Sequence, residues 1–572
     1  MDGTASLGKA PSHGREIWAR RAEFVLACVG YAVGSGNVWR FPFICYRNGG
    51  GAFLIPYLLM LFLCGIPMVL LEFVVGQSTL RGATQAFTQI CPLMKGVGFA
   101  PVIISYLTCI YFNTTVSWIL FYMLNSFSDP LPWTSCNSTW SIVGNCSSSV
   151  HSNATHLHSP SQQFFDYRLL GISEGIGVVG NMRWELAGLL LLAWLTEYLC
   201  IFKGLQLTGK VVYFTALFPY VVLLALLINN VRLPGATEGI LFFLTPQWHK
   251  LQEVKIWIDA ASLILFSTGV GFGVMVSLAS YNKFSDILRD SFIVCIANSA
   301  TSVFAGFVIF SAIGYLAHLR DLPVEDIAVA GPGLAFIVYP EILTLMPAAQ
   351  LWSFLFFFML FLLSLGSQFP LLEVMATCVK DSLGAKLPPS VSRKEVLVAM
   401  ACIPGFFINL MCVTQGGVYL FYLMDHFTAS MSVLTMAFAE VTVVIWIFGI
   451  HRFSVLVQRT VGRPPHLFFK ACWLVITPLL LFVILISSLV WYTPPQYGKS
   501  YQYPVWAQGL GWMFTLASMI WIPLGALHEL YLRKGTFLQR IKAAVVPELT
   551  VVTDPLNHQG ESVPLSSIQE QS

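Results

Sequence analysis

Charge is scarce in this 572-residue chain, where only 10% of residues are Asp, Glu, Lys or Arg, against about 25% in a soluble domain. With 56% hydrophobic residues and a mean hydropathy of +0.72, too little polar surface remains to cover a water-soluble globule. The bilayer is the expected solvent. Basic blocks are also missing: a net charge of +3 spread along the chain excludes a nucleic-acid or polybasic membrane-surface binder. The 13 cysteines form no short-spaced Cys/His set, which excludes a zinc module and leaves most of them as packed thiols. No nucleophile–base pair, metal set or phosphate loop is present, so no enzyme is expected. No continuous polar stripe marks a pore.

What the chain does have is long apolar runs. Residues 1–21 are polar and basic, and no cleavable signal peptide follows them. Runs long enough to cross about 30 Å of hydrocarbon recur near 22–46, 51–76, 97–126, 184–202, 210–229, 256–280, 288–317, 349–379, 395–412, 416–450, 468–492 and 505–531. Only Thr414, Gln415 and Gly416-Gly417 divide the stretch from 395 to 450, and a short turn is predicted there. Twelve spans alternating from a cytosolic start put most of the Lys and Arg residues inside, in keeping with the positive-inside bias. Three regions follow: a cytosolic N-terminal segment 1–21, a transporter-sized membrane domain 22–533, and a cytosolic tail 534–572. The expected localisation is a multi-pass protein of the plasma membrane or a vesicle membrane, with both termini cytosolic.

This topology places the polar loop 127–183 outside, where Asn137, Asn145 and Asn153 each begin a glycosylation sequon. Cys136 and Cys146 share that oxidising compartment and are expected to close a disulfide. Asn113 also begins a sequon, but inside a span where no transferase reaches it.

Two spans are interrupted by glycine. The first reads Gly30-Tyr31-Ala32-Val33-Gly34-Ser35-Gly36-Asn37-Val38-Trp39-Arg40-Phe41-Pro42, and the sixth carries Ser267-Thr268-Gly269-Val270-Gly271-Phe272-Gly273. One cluster alone reads as close helix packing. Two at matched places, first and sixth, point to two five-helix halves related as an inverted repeat, with unwound carbonyls for cations and half-helix N-termini for an anionic group.

With these strings go Asn48-Gly49-Gly50-Gly51-Ala52-Phe53, Pro56-Tyr57, Glu72 with Gly76-Gln77, Gly209-Lys210-Val211-Val212-Tyr213-Phe214 and Ala279-Ser280-Tyr281-Asn282-Lys283-Phe284. From about Arg15 to Gln539 the chain resembles the neurotransmitter:sodium symporters, solute carrier family 6, of the amino-acid type. The resemblance implies an all-α membrane protein of leucine-transporter-like fold: twelve transmembrane helices, a five-plus-five inverted repeat, and helices 1 and 6 interrupted. It implies sodium-coupled symport by alternating access, often with chloride.

Carried over by position, the first sodium site is Ala32, Asn37, Ser267 and Asn298, hard oxygen ligands for a small cation. The second is Gly30, Val33, Leu363 and Ser367, with Gly366 where the family has an Asp or Thr. The chloride set is Tyr57, Ser267, Asn298 and Ser302, but Leu263 replaces its glutamine, so weak chloride dependence is expected. Substrate positions are Gly34, Ser35, Gly36, Thr108, Phe112, Phe266, Gly269, Phe272, Ser367 and Leu371. Phe112 stands where the family's tyrosine hydroxyl meets a substrate carboxylate, and Tyr111, about 100° around the helix, is expected to face elsewhere. Arg40 and Asp425 match the outer gate under Phe266; Arg15, Trp18, Tyr281 and Asp381 match the cytoplasmic gate. Glu72, Glu373 and Glu440 match glutamates that support backbone or helix contacts. Glu197 matches no family role.

Gly34, where monoamine transporters carry an aspartate, implies a neutral amino acid or related zwitterion. The expected partners are that substrate, sodium, membrane lipid and a further copy or accessory subunit, and no nucleic acid. A second reading of the three departures at Leu263, Phe112 and Gly366 is a family member that keeps the fold as a non-transporting or non-concentrative membrane partner.

Overall fold

The computed structural model describes residues 17–136, 140, 159–202, 205–283, 286–327, 334–383, 388–498, 501–552 and 562–564. Among the described residues the regular structure is helical apart from two short antiparallel pairs, Gln496–Tyr497 with Tyr501–Gln502 and Thr550–Val552 with Ser562–Pro564. Backbone groups in hydrocarbon must be satisfied within the segment, and helices do this for every apolar run.

Among the described residues, ten helices are long and apolar enough to span a membrane. They are α3 (Gly51–Thr79), α4 (Pro92–Asn125), α5 (Trp184–Ile201), α6 (Tyr213–Asn230), α9 (Ile287–Arg320), α10 (Ala349–Leu383), α11 (Lys394–Val413), α12 (Gly417–Ile447), α13 (Leu467–Val490) and α14 (Val505–Leu532). The other two expected runs are broken. α1 (Arg21–Ala32) stops and α2 (Ser35–Arg47) restarts after two residues; α7 (Val254–Thr268) stops and α8 (Val274–Ala279) restarts after five. Ten of the expected runs are thus continuous helices and two are broken ones, and the turn predicted between the ninth and tenth runs lies at Thr414–Gly416, where Gln415 N donates to Asn181 O at 3.2 Å.

The breaks have a local cause. Gly34 is extended, with φ −105° and ψ −176°, and caps α2. Gly269, Gly271 and Gly273 all have positive φ, at 74°, 82° and 69°, which strongly disfavours helix for residues with a Cβ. The freed backbone finds side-chain partners: Asn37 Oδ1 accepts from Gly34 N at 3.1 Å, and Glu72 Oε1 accepts from Gly271 N at 2.8 Å. Glu72 thus has the supporting role expected of it.

The interrupted helices are enclosed by α3, α4, α9 and α10, whose core side chains are buried. Leu191, Leu192, Leu195 and Leu199 of α5 and Leu479, Phe482, Val483 and Val490 of α13 are exposed, as a lipid-facing surface would be. Arg15, Cys146 and the sequon asparagines Asn137, Asn145 and Asn153 lie outside the described residues. Part of the tail folds back: Phe537–Val545 is helical, and Glu548 N donates to Gln89 O at 2.9 Å.

Candidate functional site

The two helix breaks, α4 and α10 enclose one cavity. Its walls include Gly34, Gly36, Thr108, Phe112, Phe266, Phe272, Ser367 and Leu371, eight of the ten expected substrate positions. Tyr31, Ala32, Asn37, Arg40, Phe41, Leu263, Ser267 and Ser302 complete it. Ser35 and Gly269 do not line it. Ser35 is buried in the first turn of α2, and the face of Gly269 where a Cβ would stand is filled by the Tyr31 ring. Phe112 faces the cavity, whereas Tyr111 packs edge-on against Phe421 with centroids 5.8 Å apart. The expectation from helical rotation holds.

Gly36 and Asn37 of the first turn of α2 line this space, and a helix start carries N–H groups without intrahelical partners and a partial positive charge. A Cβ at Gly34 would run into Ser367 Oγ. A side chain at residue 34, an aspartate included, therefore requires the Ser367 hydroxyl to move and to give up its bonds to Tyr31 O and Leu363 O. Thr108, whose hydroxyl is buried, stands in the same wall.

Three of the first-sodium positions form one hydrogen-bonded chain. Asn37 Nδ2 donates to Asn298 Oδ1 at 2.7 Å, to Asn298 O at 3.1 Å and to Ser302 Oγ at 2.9 Å, and Asn298 Nδ2 donates to Ser267 Oγ at 3.0 Å. Asn298 is fully buried. Hard oxygens from α2, α7 and α9 thus meet beside the Ala32 segment, a fitting donor set for a small cation.

At the second position Ser367 Oγ donates to Tyr31 O at 3.2 Å and Leu363 O at 3.3 Å, tying α10 to the unwound end of α1. A Cβ at Gly366 would stand 2.9 Å from Gly30 O. Residue 366 therefore faces the carbonyl that the resemblance makes a ligand, and supplies no oxygen from its side chain. Of the chloride positions, Tyr57 Oη donates to Ser299 Oγ at 3.3 Å, Ser302 accepts from Asn37, and Leu263 presents a buried aliphatic side chain to the same cavity.

Both ends of the cavity are covered. On one side Arg40 Nη1 lies 2.9 Å from Asp425 Oδ1, with the guanidinium carbon 4.4 Å above the Phe266 ring. Phe266 in turn meets Phe272 at 5.6 Å, edge to face. On the other side Trp18 Nε1 donates to Leu278 O at 3.1 Å and Trp18 N to Tyr281 O at 3.2 Å. Tyr281 Oη donates to Glu373 Oε1 at 3.0 Å, and Asp381 Oδ2 accepts from Gly82 N at 2.8 Å.

Several contacts at this end escape a reading of the sequence. Lys394 Nζ sits 2.9 Å from Glu373 Oε2, so Glu373 belongs to the Tyr281 cluster as well as to its helix. Arg21 bonds Asp290 at 2.7 Å and Asp286 at 3.4 Å, fastening the start of α1 to α9. Arg47 similarly holds Asp259 at 2.7 Å on the other side. The signal available in sequence was only a charge at the edge of an apolar run.

Residues 15–532 match the model of the Sodium:neurotransmitter symporter family. The chain belongs to that family. It is 42% identical to the sodium- and chloride-dependent GABA transporter 2 of Rattus norvegicus over 541 residues, 93% of this chain and 90% of that protein. It is also 42% identical to the sodium- and chloride-dependent creatine transporter 1 of Bos taurus over 558 residues, 94% of this chain and 88% of that protein. A GABA transporter of Drosophila melanogaster, also named sodium- and chloride-dependent, is 40% identical over 556 residues, 96% of this chain and 58% of that protein. Membership in this symporter family makes the chain a multi-pass membrane protein of sodium-linked transport. The relatives are transporters, not enzymes.

Proposed function

We propose that this protein is a sodium-driven symporter of a small zwitterion, a neutral amino acid or a related amino or guanidino acid, working by alternating access. The observation that carries this reading is the wall at Gly34. With a glycine there, hemmed by Ser367 Oγ, the first turn of α2 and the sodium ion that the neighbouring oxygens would hold are left to a carboxylate that the substrate itself brings. Relatives named for GABA and creatine, both small acids with a cationic nitrogen group, support this choice. Twelve spans follow if α1–α2 and α7–α8 each cross once, and these two breaks are the matched members of the five-plus-five inverted repeat.

Sodium would occupy the Ala32, Asn37, Ser267 and Asn298 group first. The Gly30, Val33, Leu363 and Ser367 group is the second and weaker site, because Gly366 brings no oxygen. The chloride group of Tyr57, Ser267, Asn298 and Ser302 is weakened by Leu263, although relatives are named chloride-dependent. The Arg40–Asp425 and Trp18–Tyr281 closures serve as outer and inner gates, with Arg15 and Asp381 in the inner one. The loop 127–183 is extracellular, glycosylated at Asn137, Asn145 and Asn153 and bridged between Cys136 and Cys146.

The test is uptake of radiolabelled GABA, creatine and neutral amino acids by cells with verified surface expression, with sodium exchanged for choline. Sodium-dependent uptake of one of these supports the reading. Its absence for all of them at full surface expression favours the non-transporting partner.

A further inference from the structure

The ionisable side chain of Glu197, inside the membrane, takes no part in the cavity, the ion positions or the gates. Glu197, near the end of α5, is fully buried. It faces Asn113 of α4, also fully buried, which follows the cavity residue Phe112 and so is turned about 100° away from the cavity. Asn113 Nδ2 donates to Glu197 Oε2 at 3.0 Å, and Cys109 Sγ, one turn earlier, lies 3.9 Å from the same oxygen.

The remaining polar atoms of the pair, Glu197 Oε1 and Asn113 Oδ1, are both buried without a partner. While the carboxylate is ionised both are acceptors, and neither can satisfy the other. One proton on Oε1 changes that. The carboxylate takes up a proton from solvent, becomes a neutral acid, and its O–H can donate to the amide oxygen while the amide N–H donates back, with every polar atom then used.

Among the described residues, no charged side chain is paired with Glu197. Groups that feel Glu197 are the thiols of Cys109 on α4, Cys200 on α5 itself and Cys402 on α11. Tyr106 of α4, beside Cys109 and Cys402, donates to Ala401 O at 3.0 Å. α11 otherwise meets α5 through Gly405 against the Trp194 ring. α6 and α10 also pack on α5, and among the described residues neither brings a Lys, Arg or His into an ion pair with Glu197. The side chains of Lys203 and Lys210 are outside the described residues. An isolated carboxylate in such a place takes a proton rather than remaining charged.

We propose that Glu197 is an intramembrane proton-binding site whose proton is shared with Asn113 Oδ1, fastening α5 to the cavity helix α4. A sodium ion fits the place less well, since two oxygens among thiols and rings fall short of the hard oxygen shell that such a cation takes. The site rests on this pair alone and not on the proposed substrate.

Infrared spectra of the full chain, purified and reconstituted in liposomes, test it. The spectrum of wild type minus Glu197→Gln at neutral pH is expected to contain the C=O stretch of a protonated carboxylic acid. Glutamine keeps the size and the two-way pairing, and the difference removes the bands of the other buried acids. Asn113→Leu, in a chain that keeps Glu197, provides an independent arm: the acid band is expected to move to higher frequency as its acceptor is lost. A difference spectrum containing only carboxylate bands would overturn the proposal, as would an acid band that sodium chloride abolishes at fixed pH, which would mean a cation occupies the site. An unmoved band in Asn113→Leu would overturn the sharing of the proton.

Discussion

Arg40 on α2 and Asp425 on α12, 2.9 Å apart, close the cavity with Phe266 held beneath the guanidinium at 4.4 Å. Side-chain exposures of 16% and 19% make this more than a freely solvated pair, so removing one partner leaves the other charge partly desolvated. Asp425→Asn is expected to lower sodium-dependent uptake by about tenfold or more, roughly 1.4 kcal/mol of lost closure, with surface expression retained. Uptake assayed beside surface biotinylation checks this. Unchanged uptake would make the pair a static anchor.

Gly34 is expected to tolerate nothing larger. Gly34→Ala forces its methyl into Ser367 Oγ, and overpacking of this sort costs about 1–3 kcal/mol. Substrate affinity should fall by a corresponding factor in the uptake assay. Adding Ser367→Gly removes the colliding hydroxyl and should restore part of the loss, although it also removes the bonds to Tyr31 O and Leu363 O.

Phe112 lines the cavity and residue 366 faces Gly30 O, and neither brings a side-chain oxygen there. Phe112→Tyr is expected to raise apparent affinity for a carboxylate substrate by about tenfold to a hundredfold, the worth of one charge-assisted hydrogen bond of roughly 1.5–3 kcal/mol. Gly366→Asp should instead change sodium dependence, provided α10 shifts by the few tenths of an ångström that 2.9 Å between a Cβ and Gly30 O demands. Substrate and sodium titrations of each variant separate the two effects. Weaker binding in Phe112→Tyr would mean a ligand without a carboxylate there.

Leu263 bears on the anion. Replacing chloride by gluconate is expected to reduce uptake little in the wild type and markedly more in Leu263→Gln, which adds an amide donor at the cavity wall. A large loss in the wild type would show that Tyr57, Ser267, Asn298 and Ser302 hold the anion without it.

Much of the site could be read in the sequence because its chemistry is local. The glycines that break α1–α2 and α7–α8 sit within short strings, and so do Asn37, Ser267 and Arg40. The family resemblance put Phe112 at the cavity, and helical rotation was then enough to turn Tyr111 away. What escaped depended on meetings between distant segments. Tyr31 covers Gly269, Lys394 reaches Glu373, and Asn113 meets Glu197 across 84 positions. In hydrocarbon a helix is apolar on most of its surface, so periodicity carries little information about which face meets which neighbour. A buried carboxylate such as Glu197 therefore looks, in sequence, like one at the membrane boundary.

The sodium gradient is expected to drive accumulation of a small zwitterion through the cavity at Gly34. The most direct measurement is accumulation of radiolabelled GABA, creatine and neutral amino acids by proteoliposomes containing the purified chain, under an inward sodium gradient and with the gradient collapsed by an ionophore. The account predicts concentrative uptake of at least one of these compounds that disappears with the gradient and in Gly34→Asp. Uptake that persists unchanged without sodium, or an equal signal from Gly34→Asp, would contradict it.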